Sequence, residues 1–432
     1  MTVPTLRLPD HLADALAAGH PWVYREAVRG RPTIADGAWV RVEAGRAAAL
    51  GLWAADGAIA VRAFRRAPEG GPLSPPDRAW VEATVARALD QRARLGLGVG
   101  GPAATDAYRV LFGEGDGLPG LTVDRYGRFA VVKTYADAYR RPGSDAHALL
   151  SEVVRTVAAG LRLRGVVAAP RDGEPLTALV GELPPPEVTV HEHGLAFLAN
   201  LHEGQKTGLF LDHRENRATV RSLARGRRVA NLFAYSGAFS VHALAGGATR
   251  AVDVDVAAAA LRDAERNVRA NAAAIEAAGA PAGTAPAGPA PAGTADSGLP
   301  PAHHATLALD LLADPAAALR HPELAGSDLI VLDPPSLARH KGQRHAALRA
   351  YKRLNAAAMA ALPPGGLLAT ASCTAQVSPE AFRAVLAEAA AAERVDARVL
   401  HEAGHAGDHP VPLAFPEGRY LKFVLLRIDR PD

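Results

Sequence analysis

The sequence predicts an α/β protein whose C-terminal part is a parallel, doubly wound, Rossmann-like sheet, preceded by smaller strand-rich and mixed α/β regions. After residue 205, short apolar strands alternate with helical segments, the pattern of strand–helix–strand units. Before residue 190, strand-like runs and amphipathic helices are separated by Gly and Pro. The 432 residues are enough for two or three domains, at about 100–200 residues per domain.

The composition excludes several classes of protein. With 49% hydrophobic and 22% charged residues, the chain has the balance of a globular protein. No apolar run reaches the ~18 residues of a transmembrane helix, and the N-terminal segment lacks the apolar core of a secretory signal. We therefore expect a cytoplasmic protein with no membrane partner. The net charge of +3 is compatible with nucleic acid but does not indicate it.

Cysteine and lysine are rare in this chain. The single cysteine, Cys373, excludes an intramolecular disulfide and an all-cysteine metal site, and we expect no metal. Only five of the 48 basic residues are lysines, so their positions are of interest. These lysines are Lys133, Lys206, Lys341, Lys352 and Lys422.

Residues 1–72 are predicted to form a small β-rich domain. Apolar and polar residues alternate over 39–42 and 59–64, which favours strands. Residues 68–72, Pro-Glu-Gly-Gly-Pro, resemble a linker and end this domain.

Residues 73–190 are predicted to form a mixed α/β middle domain. It begins with a helix over about 80–95 and contains an amphipathic helix near 145–163. Strands are predicted at 108–112 and 129–132, on either side of a turn-rich segment. The proline-rich residues 183–187 mark the next boundary.

Residues 191–432 are predicted to form the doubly wound domain, with ligands beyond the C-terminal ends of its strands. Helices are expected from residue 240 and over 257–277. Residues 279–302 are Pro/Gly/Ala-rich and are expected to be a disordered surface insertion without function. The predicted strands are 229–233, 250–255, 307–309, 329–332 and 367–370.

Three features at predicted strand ends suit a nucleoside. Residues 231–237, Asn-Leu-Phe-Ala-Tyr-Ser-Gly, form a small-residue turn that opens a helix and exposes N–H groups, although it lacks the Gly-rich dinucleotide fingerprint. Asp255 lies 18 residues after Gly237, where a ribose diol is commonly held. Asp310 could hold an adenine amino group. Any α/β domain with acidic strand ends could show each feature singly; their ordered series favours a nucleoside cofactor.

Candidate binding and catalytic residues also follow two further predicted strands. Asp333-Pro-Pro-Ser336 follows a strand, and its two prolines would hold Asp333 rigidly as an acceptor for a planar heterocycle. The alternative is a structural turn. Cys373 directly follows the last predicted parallel strand and so lies at the same sheet edge. A free cysteine is usually a small buried hydrophobe, and its position argues against that interpretation.

A basic segment follows the Asp-Pro-Pro turn. Residues 339–353 contain six Lys/Arg and no acid. Such a run is commonly a solvated face, but its place after the turn favours contacts with RNA phosphates. The candidate RNA-binding residues are Arg339, Lys341, Arg344, Arg349, Lys352 and Arg353.

These motifs together resemble class I S-adenosylmethionine-dependent methyltransferases, and more narrowly the bacterial 23S ribosomal RNA 5-methylcytosine methyltransferases of the RlmI type. The resemblance runs nearly end to end. Residues 19–24 are similar to the start of that family's PUA-like domain, and 115–127 to its middle domain. Residues 204–217, Gly-Gln-Lys-Thr-Gly-Leu-Phe-Leu-Asp-His-Arg-Glu-Asn-Arg, are specific to it. The segments at 231–237, 333–336, 372–373, 408–411 and 420–423 also match.

The resemblance implies a cofactor, S-adenosyl-L-methionine, a 23S rRNA partner and a homodimer. The 204–217 motif would cover the cofactor, with Lys206 and Arg214 as candidates within it. Asp253 and Asp255 both end the second strand, and we favour Asp255 for the ribose. The implied cofactor site consists of Phe233, Ser236, Gly237, Asp255, Asp310 and Asp333.

The resemblance also implies a covalent mechanism. A Cys373 thiolate would add to C6 of cytosine and so activate C5, and Asp333 would bind the N3/N4 edge. A nearby Lys or Arg would have to favour the thiolate. Ser336 stands where amino-group methyltransferases usually carry an aromatic residue, which favours carbon over nitrogen as the acceptor. The alternatives are a guanine-N2 rRNA methyltransferase in which Cys373 is incidental, and a non-catalytic ribosome- or RNA-binding protein.

Overall fold

The structure is a computed structural model that describes residues 3–67, 73–101, 103–169, 174–203, 208–279 and 304–431. The predicted linker at 68–72, Lys206 and all but residue 279 of the predicted insertion at 279–302 lie outside these ranges. The chain divides into two compact units. Unit 1 comprises Met1–Val190, Asn200–Thr207 and Gly407–Gly418, and unit 2 comprises His191–Ala199, Gly208–Ala406 and Arg419–Asp432. That 1–72 and 73–190 fold as separate domains remains a prediction.

The first sheet of unit 1 has five strands in the order β1-β3-β4-β5-β2. Strands occur at both segments predicted from alternation, and β4 between them was not predicted. It lacks alternation because six of its seven residues are buried, so both of its faces are apolar. The elements are β1 (Thr5–Arg7), α1 (Ala13–Ala18), β2 (Trp22–Tyr24), β3 (Trp39–Ala44), β4 (Ala47–Trp53) and β5 (Ile59–Ala67).

The second sheet of unit 1 has the order β10-β9-β8-β7-β6. Both predicted helices are present, and each has an N-terminal cap: Asp77 accepts from Trp80 N, and Ser144 accepts from His147 N. The predicted turn-rich segment contains no strand up to Gly120, and β7, which begins at Leu121, was not predicted. The elements are α2 (Arg78–Arg94), β6 (Ala107–Phe112), β7 (Leu121–Tyr126), β8 (Phe129–Thr134), α3 (Asp145–Leu161), β9 (Gly165–Ala168) and β10 (Thr177–Gly181).

Unit 2 is built on a seven-stranded sheet of described residues with the order β15-β14-β13-β16-β17-β19-β18. The first five strands are parallel, which confirms the predicted doubly wound fold, and β19 and β18 add an antiparallel edge that was not predicted. A separate two-stranded sheet pairs β11 (Val188–Glu192) with β12 (Leu195–Ala199). The strands of the large sheet are β13 (Arg228–Leu232), β14 (Arg250–Asp255), β15 (His304–Ala308), β16 (Leu329–Leu332), β17 (Gly366–Ser372), β18 (Asp396–Ala403) and β19 (Lys422–Asp429).

Helices cover this sheet, and its main apolar core includes the inner faces of α9 and α10. The predicted helix over 257–277 is two helices, because the Asn271 amide bonds to the backbone of Ala196 and so interrupts the run. The predicted strand 307–309 begins earlier, at His304, which is buried beside Asp253. The helices are α4 (Arg214–Leu223), α5 (Ala238–Ala245), α6 (Ala258–Ala270), α7 (Ala272–Gly279), α8 (Pro315–Leu319), α9 (Arg344–Ala361) and α10 (Pro379–Glu393).

Candidate functional site

The order of the strands places a ligand site at the C-terminal ends of β13, β14, β16 and β17. Successive strands are added on one side of β13 as far as β15, and on its other side from β16 onward. In open α/β sheets, ligands bind where the order reverses in this way. The turn at 233–237, Asp333 and Cys373 directly follow strand ends, and Asp255 is the last residue of β14, so the structure brings them to one edge.

The turn after β13 has an unusual backbone. Phe233 and Tyr235 have positive φ angles of 59° and 49°, and Gly237 has 71°. Bulky residues rarely adopt this conformation, and such strain is concentrated at functional sites. Gly237 is required here, because a Cβ atom would lie 2.6 Å from both the Asp253 carboxylate and Ala264. The turn therefore approaches the neighbouring elements closely and leads directly into α5.

Asp255 has the geometry expected of a ribose ligand. Its Oδ2 accepts from the backbone N–H of Tyr235 at 2.9 Å, and its Oδ1 accepts from that of Ala257 at 2.9 Å. A carboxylate has about four acceptor positions, so two remain for the hydroxyls of a diol. The residue is only partly buried. Asp255 thus fixes the strained turn and still presents acceptors at the sheet edge.

Asp253, the alternative ribose ligand, is fully buried and already bonded. Its Oδ1 accepts from Asn231 Nδ2 at 2.7 Å and from Ser240 Oγ at 2.5 Å, and its Oδ2 lies 2.8 Å from His304 Nε2. A ligand could reach it only by displacing the core. This geometry favours Asp255 over Asp253.

Asp310 lies two residues beyond the end of β15 and is exposed. Its Oδ1 accepts from the backbone N–H groups of Leu312 at 2.9 Å and Ala313 at 3.1 Å. Its Oδ2 is in none of these bonds. Asp310 thus uses one carboxylate oxygen to hold the turn that follows it.

Ser236 and the segment beginning at Gly208 are joined by hydrogen bonds. Ser236 is buried and its hydroxyl donates to the carbonyl of Gly208. The N–H of Gly208 donates to the Tyr235 hydroxyl at 2.9 Å. The Phe210 ring lies 5.2 Å from that of Tyr235. The side chain of Ser236 thus holds the segment after 204–207 against the turn, rather than pointing into open space.

Arg214, the second candidate of the 204–217 motif, is the first residue of α4 and is 1% exposed. Its Nε lies 2.9 Å from a carboxylate oxygen of Glu215. Three residues on, Arg217 makes a bidentate ion pair with the buried Glu192 and donates to the carbonyl of Phe210 at 2.7 Å. The buried arginines of this motif therefore hold α4 and the preceding segment in place.

The two predicted catalytic residues are close together. Cys373 Sγ lies 4.0 Å from the carbonyl oxygen of Pro334, the residue after Asp333. The thiol is partly buried. Burial and the negative charges of Asp333 and Asp212 raise the pKa of Cys373 to about 12, although Lys422 opposes them. A thiol with this pKa is neutral at physiological pH.

His213 was not predicted as a site residue, and the structure places it against Asp333. Its Nε2 lies 3.3 Å from Asp333 Oδ1, and its Nδ1 lies 3.0 Å from the Asn216 amide. Burial lowers the pKa of His213, but the Asp333 and Asp212 carboxylates outweigh burial and the net shift is upward. The imidazole thus lies within ion-pair distance of Asp333 and orients its carboxylate.

The predicted RNA-binding residues lie before and along α9. All but Lys352 are classed as exposed, and Lys352 forms a 3.0 Å ion pair with Glu388. Arg349 and Arg353 are one helical turn apart on the face opposite the buried Tyr351 and Leu354. Arg353 also donates to the carbonyl of Leu312. The segment is thus a solvent-facing basic surface.

Two observations on the described residues concern metal binding and membrane-spanning helices. Among the described residues, no group of three or more His, Cys, Asp or Glu side chains is arranged to hold a metal ion. In the same part of the chain, none of the helices combines the length and the apolar character needed to cross a membrane.

Comparison with known proteins gives matches along the whole chain. Residues 6–66 match the family model of the PUA-like domain, and 172–279 match that of the S-adenosylmethionine-dependent methyltransferase. The ribosomal RNA large subunit methyltransferase of Deinococcus radiodurans is 36% identical, covering 99% of this chain and 98% of its own. The ribosomal RNA large subunit methyltransferase I of Serratia proteamaculans is 30% identical, covering 96% of both chains.

Solved structures share the fold. A Streptococcus mutans protein described as a SAM-dependent methyltransferase superposes with a TM-score of 0.77 at 19% identity, covering 98% of this chain and 100% of that one. A second structure, described as a methyltransferase complexed with SAH, has a TM-score of 0.78 at 20% identity and covers the same shares.

Proposed function

Because this chain belongs to the S-adenosylmethionine-dependent methyltransferases of large-subunit ribosomal RNA, we propose that it methylates C5 of a cytosine in 23S rRNA through a covalent bond from Cys373 to C6. The predicted family and cofactor are confirmed by these relatives. The observation that supports cytosine chemistry is the placement of the chain's one thiol beside Asp333, at the edge where the turn and Asp255 lie. We further propose that the protein acts in the cytoplasm and as a homodimer.

The cofactor, S-adenosylmethionine, supplies an electrophilic methyl group when it is bound. Asp255 would accept hydrogen bonds from its ribose hydroxyls, and Asp310 from its adenine amino group. The turn that contains Phe233, Ser236 and Gly237 would line the cofactor site, and the N–H of Gly237 is donated within the turn to the carbonyl of Ala234 at 2.9 Å. Arg214 and the segment after Lys206 would close over this site, where Ser236 already holds Gly208.

Cys373 would provide the nucleophile that cytosine C5 requires. Its thiolate adds to C6 and forms an Sγ–C6 bond, which turns C5 into an enamine carbon able to accept a methyl group. H5 then leaves C5 as a proton taken up by a base, and the Sγ–C6 bond breaks. The electron pair of that bond returns to sulfur and the proton taken up at N3 returns to Asp333, so the thiolate and the aromatic base are both restored.

Asp333 would bind the N3/N4 edge of cytosine and deliver a proton to N3 as C6 is attacked. His213 holds Oδ1 of this carboxylate at 3.3 Å, which leaves Oδ2 to face the base. The Asp333 and Asp212 carboxylates raise the pKa of His213, so His213 would be the source of the proton that Asp333 passes on to N3. Ser336 is exposed and offers no aromatic face for stacking an amino-group substrate, which supports carbon as the acceptor.

Deleting the gene should remove one 5-methylcytosine from 23S rRNA and leave other methylated nucleosides unchanged. Mass spectrometry of the nucleosides released from purified rRNA measures this directly. Complementation with the wild-type gene should restore the modification. Loss of N2-methylguanosine instead would support the guanine alternative, and an unchanged profile would support a non-catalytic RNA-binding protein.

The basic surface on α9 should contribute to RNA affinity. Replacing Arg344, Arg349 and Arg353 together with alanine should weaken binding to an rRNA fragment. It should also reduce the slope of log affinity against log salt by about 0.7–0.9 per lost phosphate contact. Filter binding at several salt concentrations measures both quantities.

A matched triple variant lies on the helices of unit 1. Arg78, Arg94 and Arg155 have side chains that are 78%, 77% and 64% exposed, so their replacement removes the same charge elsewhere. Cofactor affinity should stay at the wild-type value in both triple variants. If the α9 variant binds RNA with wild-type affinity and salt slope, the surface is only a solvated face.

A further inference from the structure

Lys422, the first residue of β19, lies beside the segment that carries Cys373. β19 pairs antiparallel with β17, and Lys422 is opposite Ser372, the residue before the cysteine. Its Nζ donates to the carbonyl of Thr374, the residue after the cysteine, at 2.7 Å, and to that of Tyr420 at 2.8 Å. Strand pairing and hydrogen bonds therefore hold the lysine across the backbone of Cys373.

The charge of Lys422 is buried without a carboxylate partner. The residue is 4% exposed, and among the described residues no Asp or Glu lies within ion-pair distance of Nζ. A buried ammonium held by neutral carbonyls is costly, and an apolar residue of similar size commonly gives greater stability. Burial accordingly lowers the pKa of Lys422 to about 8. The position is thus poorly explained by stability alone.

We propose that Lys422 is a positioning residue for catalysis, whose ammonium stabilises the Cys373 thiolate that the proposed cytosine reaction requires. This inference rests on the proposed function. The ionisable groups that face the thiol are Asp333 after β16, Asp212 before α4, Tyr351 on α9 and Lys422 on β19. Of these four groups, Lys422 is the one that can carry a positive charge.

The thiolate form of Cys373 needs the lysine because burial and the two nearby carboxylates both disfavour it. Burial and the charges of the two carboxylates raise the pKa of Cys373 to about 12, even though Lys422 acts against them. At that pKa, roughly one thiol in 100,000 is ionised at neutral pH. This value already includes the favourable charge of Lys422, so loss of the ammonium would make the thiolate rarer still.

The rate of alkylation of Cys373 by iodoacetamide tests this role, since the chain contains one cysteine and intact mass reports it alone. Rates are measured from pH 7 to 10 for the wild type, Lys422→Met and Lys422→Arg. At pH 7, where Lys422 carries its charge, Lys422→Met should be about tenfold slower, because a rise of one unit in the thiol pKa lowers the thiolate fraction tenfold. Lys422→Arg keeps the charge and should stay within about threefold of the wild type.

Lys133→Met on β8 of unit 1 is the matched control and should leave the alkylation rate unchanged. The proposal would be overturned if Lys422→Met folds, binds S-adenosylmethionine normally and has its Cys373 alkylated at the wild-type rate. If that variant does not fold, carbon-13 NMR of lysine side chains in the wild type decides, with the Lys422 signal assigned by its absence from Lys422→Arg. A titration midpoint above pH 7 supports the proposal, and one below pH 7 overturns it.

Alkylation requires neither RNA nor methyl transfer. If the protein methylates guanine rather than cytosine, the alkylation rates still show whether Lys422 stabilises the thiolate. The nucleoside analysis and the alkylation series can therefore fail independently of one another.

Discussion

Cys373→Ala should abolish methylation of 23S rRNA while the fold and the affinity for S-adenosylmethionine stay at their wild-type values. The chain has no second thiol that could add to C6. The side chain is small and partly buried, and its Sγ makes one long contact, 4.0 Å from the Pro334 carbonyl oxygen, so its loss should disturb packing little. Methyl transfer from tritiated cofactor to rRNA measures the activity, and calorimetry measures cofactor binding.

Cys373→Ser should be inactive as well. A hydroxyl is far less ionised at neutral pH than a thiol, whose ordinary pKa is about 8.5, so serine cannot supply the nucleophile. This variant separates a need for ionisation from a need for volume, because serine and cysteine have similar shapes.

RNA that carries 5-fluorocytosine at the target position should trap the wild-type enzyme covalently. Fluorine at C5 cannot leave as a proton, so the Sγ–C6 bond persists and a denaturing gel shows a shifted band. Cys373→Ala should give no such band, and wild-type enzyme with ordinary cytosine should give only a transient one. Wild type without an adduct, or an alanine variant with near-normal turnover, would make Cys373 a packing residue and favour nitrogen methylation.

Asp255→Ala should weaken S-adenosylmethionine binding by about 1–3 kcal/mol, roughly 5- to 150-fold, the effect of losing a charged hydrogen bond. The carboxylate also accepts from Tyr235 N and Ala257 N, so the strained turn loses a support at the same time. Isothermal calorimetry with the purified protein gives the affinity directly.

Asp263 on α6 offers a matched control for Asp255. Its side chain is 49% exposed and lies in the same unit, so Asp263→Ala removes an equal charge without touching the strand ends. Cofactor affinity should be unchanged in this control. Wild-type affinity in Asp255→Ala would remove the ribose role from this residue, and the buried Asp253 could not take it over without opening the core.

The fold class and the location of the site were predictable because they depend on local patterns. Alternating apolar strands and helices predict a doubly wound sheet, and parallel strands in such a sheet present their C-terminal ends at one edge. Asp333 and Cys373 follow strands in the sequence and Asp255 ends one, and the structure has all three at that edge. Placing these residues at the edge requires only that the strands be recognised from their hydrophobic pattern and that their direction be known.

Other elements escaped prediction for equally physical reasons. β4 is buried on both faces and so shows no alternation. The run of alanines around Asn271 is helical by composition, and its interruption depends on an amide that bonds to Ala196, 75 residues away. Neither feature can be recognised within a local window of sequence.

The details of the candidate site were decided by tertiary structure. The burial of Asp253 separates it from Asp255 two residues later, the Ser236 hydroxyl is committed to Gly208, and His213 lies against Asp333. Lys422 was noticeable in the sequence only as one of five lysines. Its approach to Cys373 follows from the antiparallel pairing of β19 with β17. Such contacts join residues far apart in the chain, and burial and charge act through space, so folding must bring the groups together before their chemistry is defined.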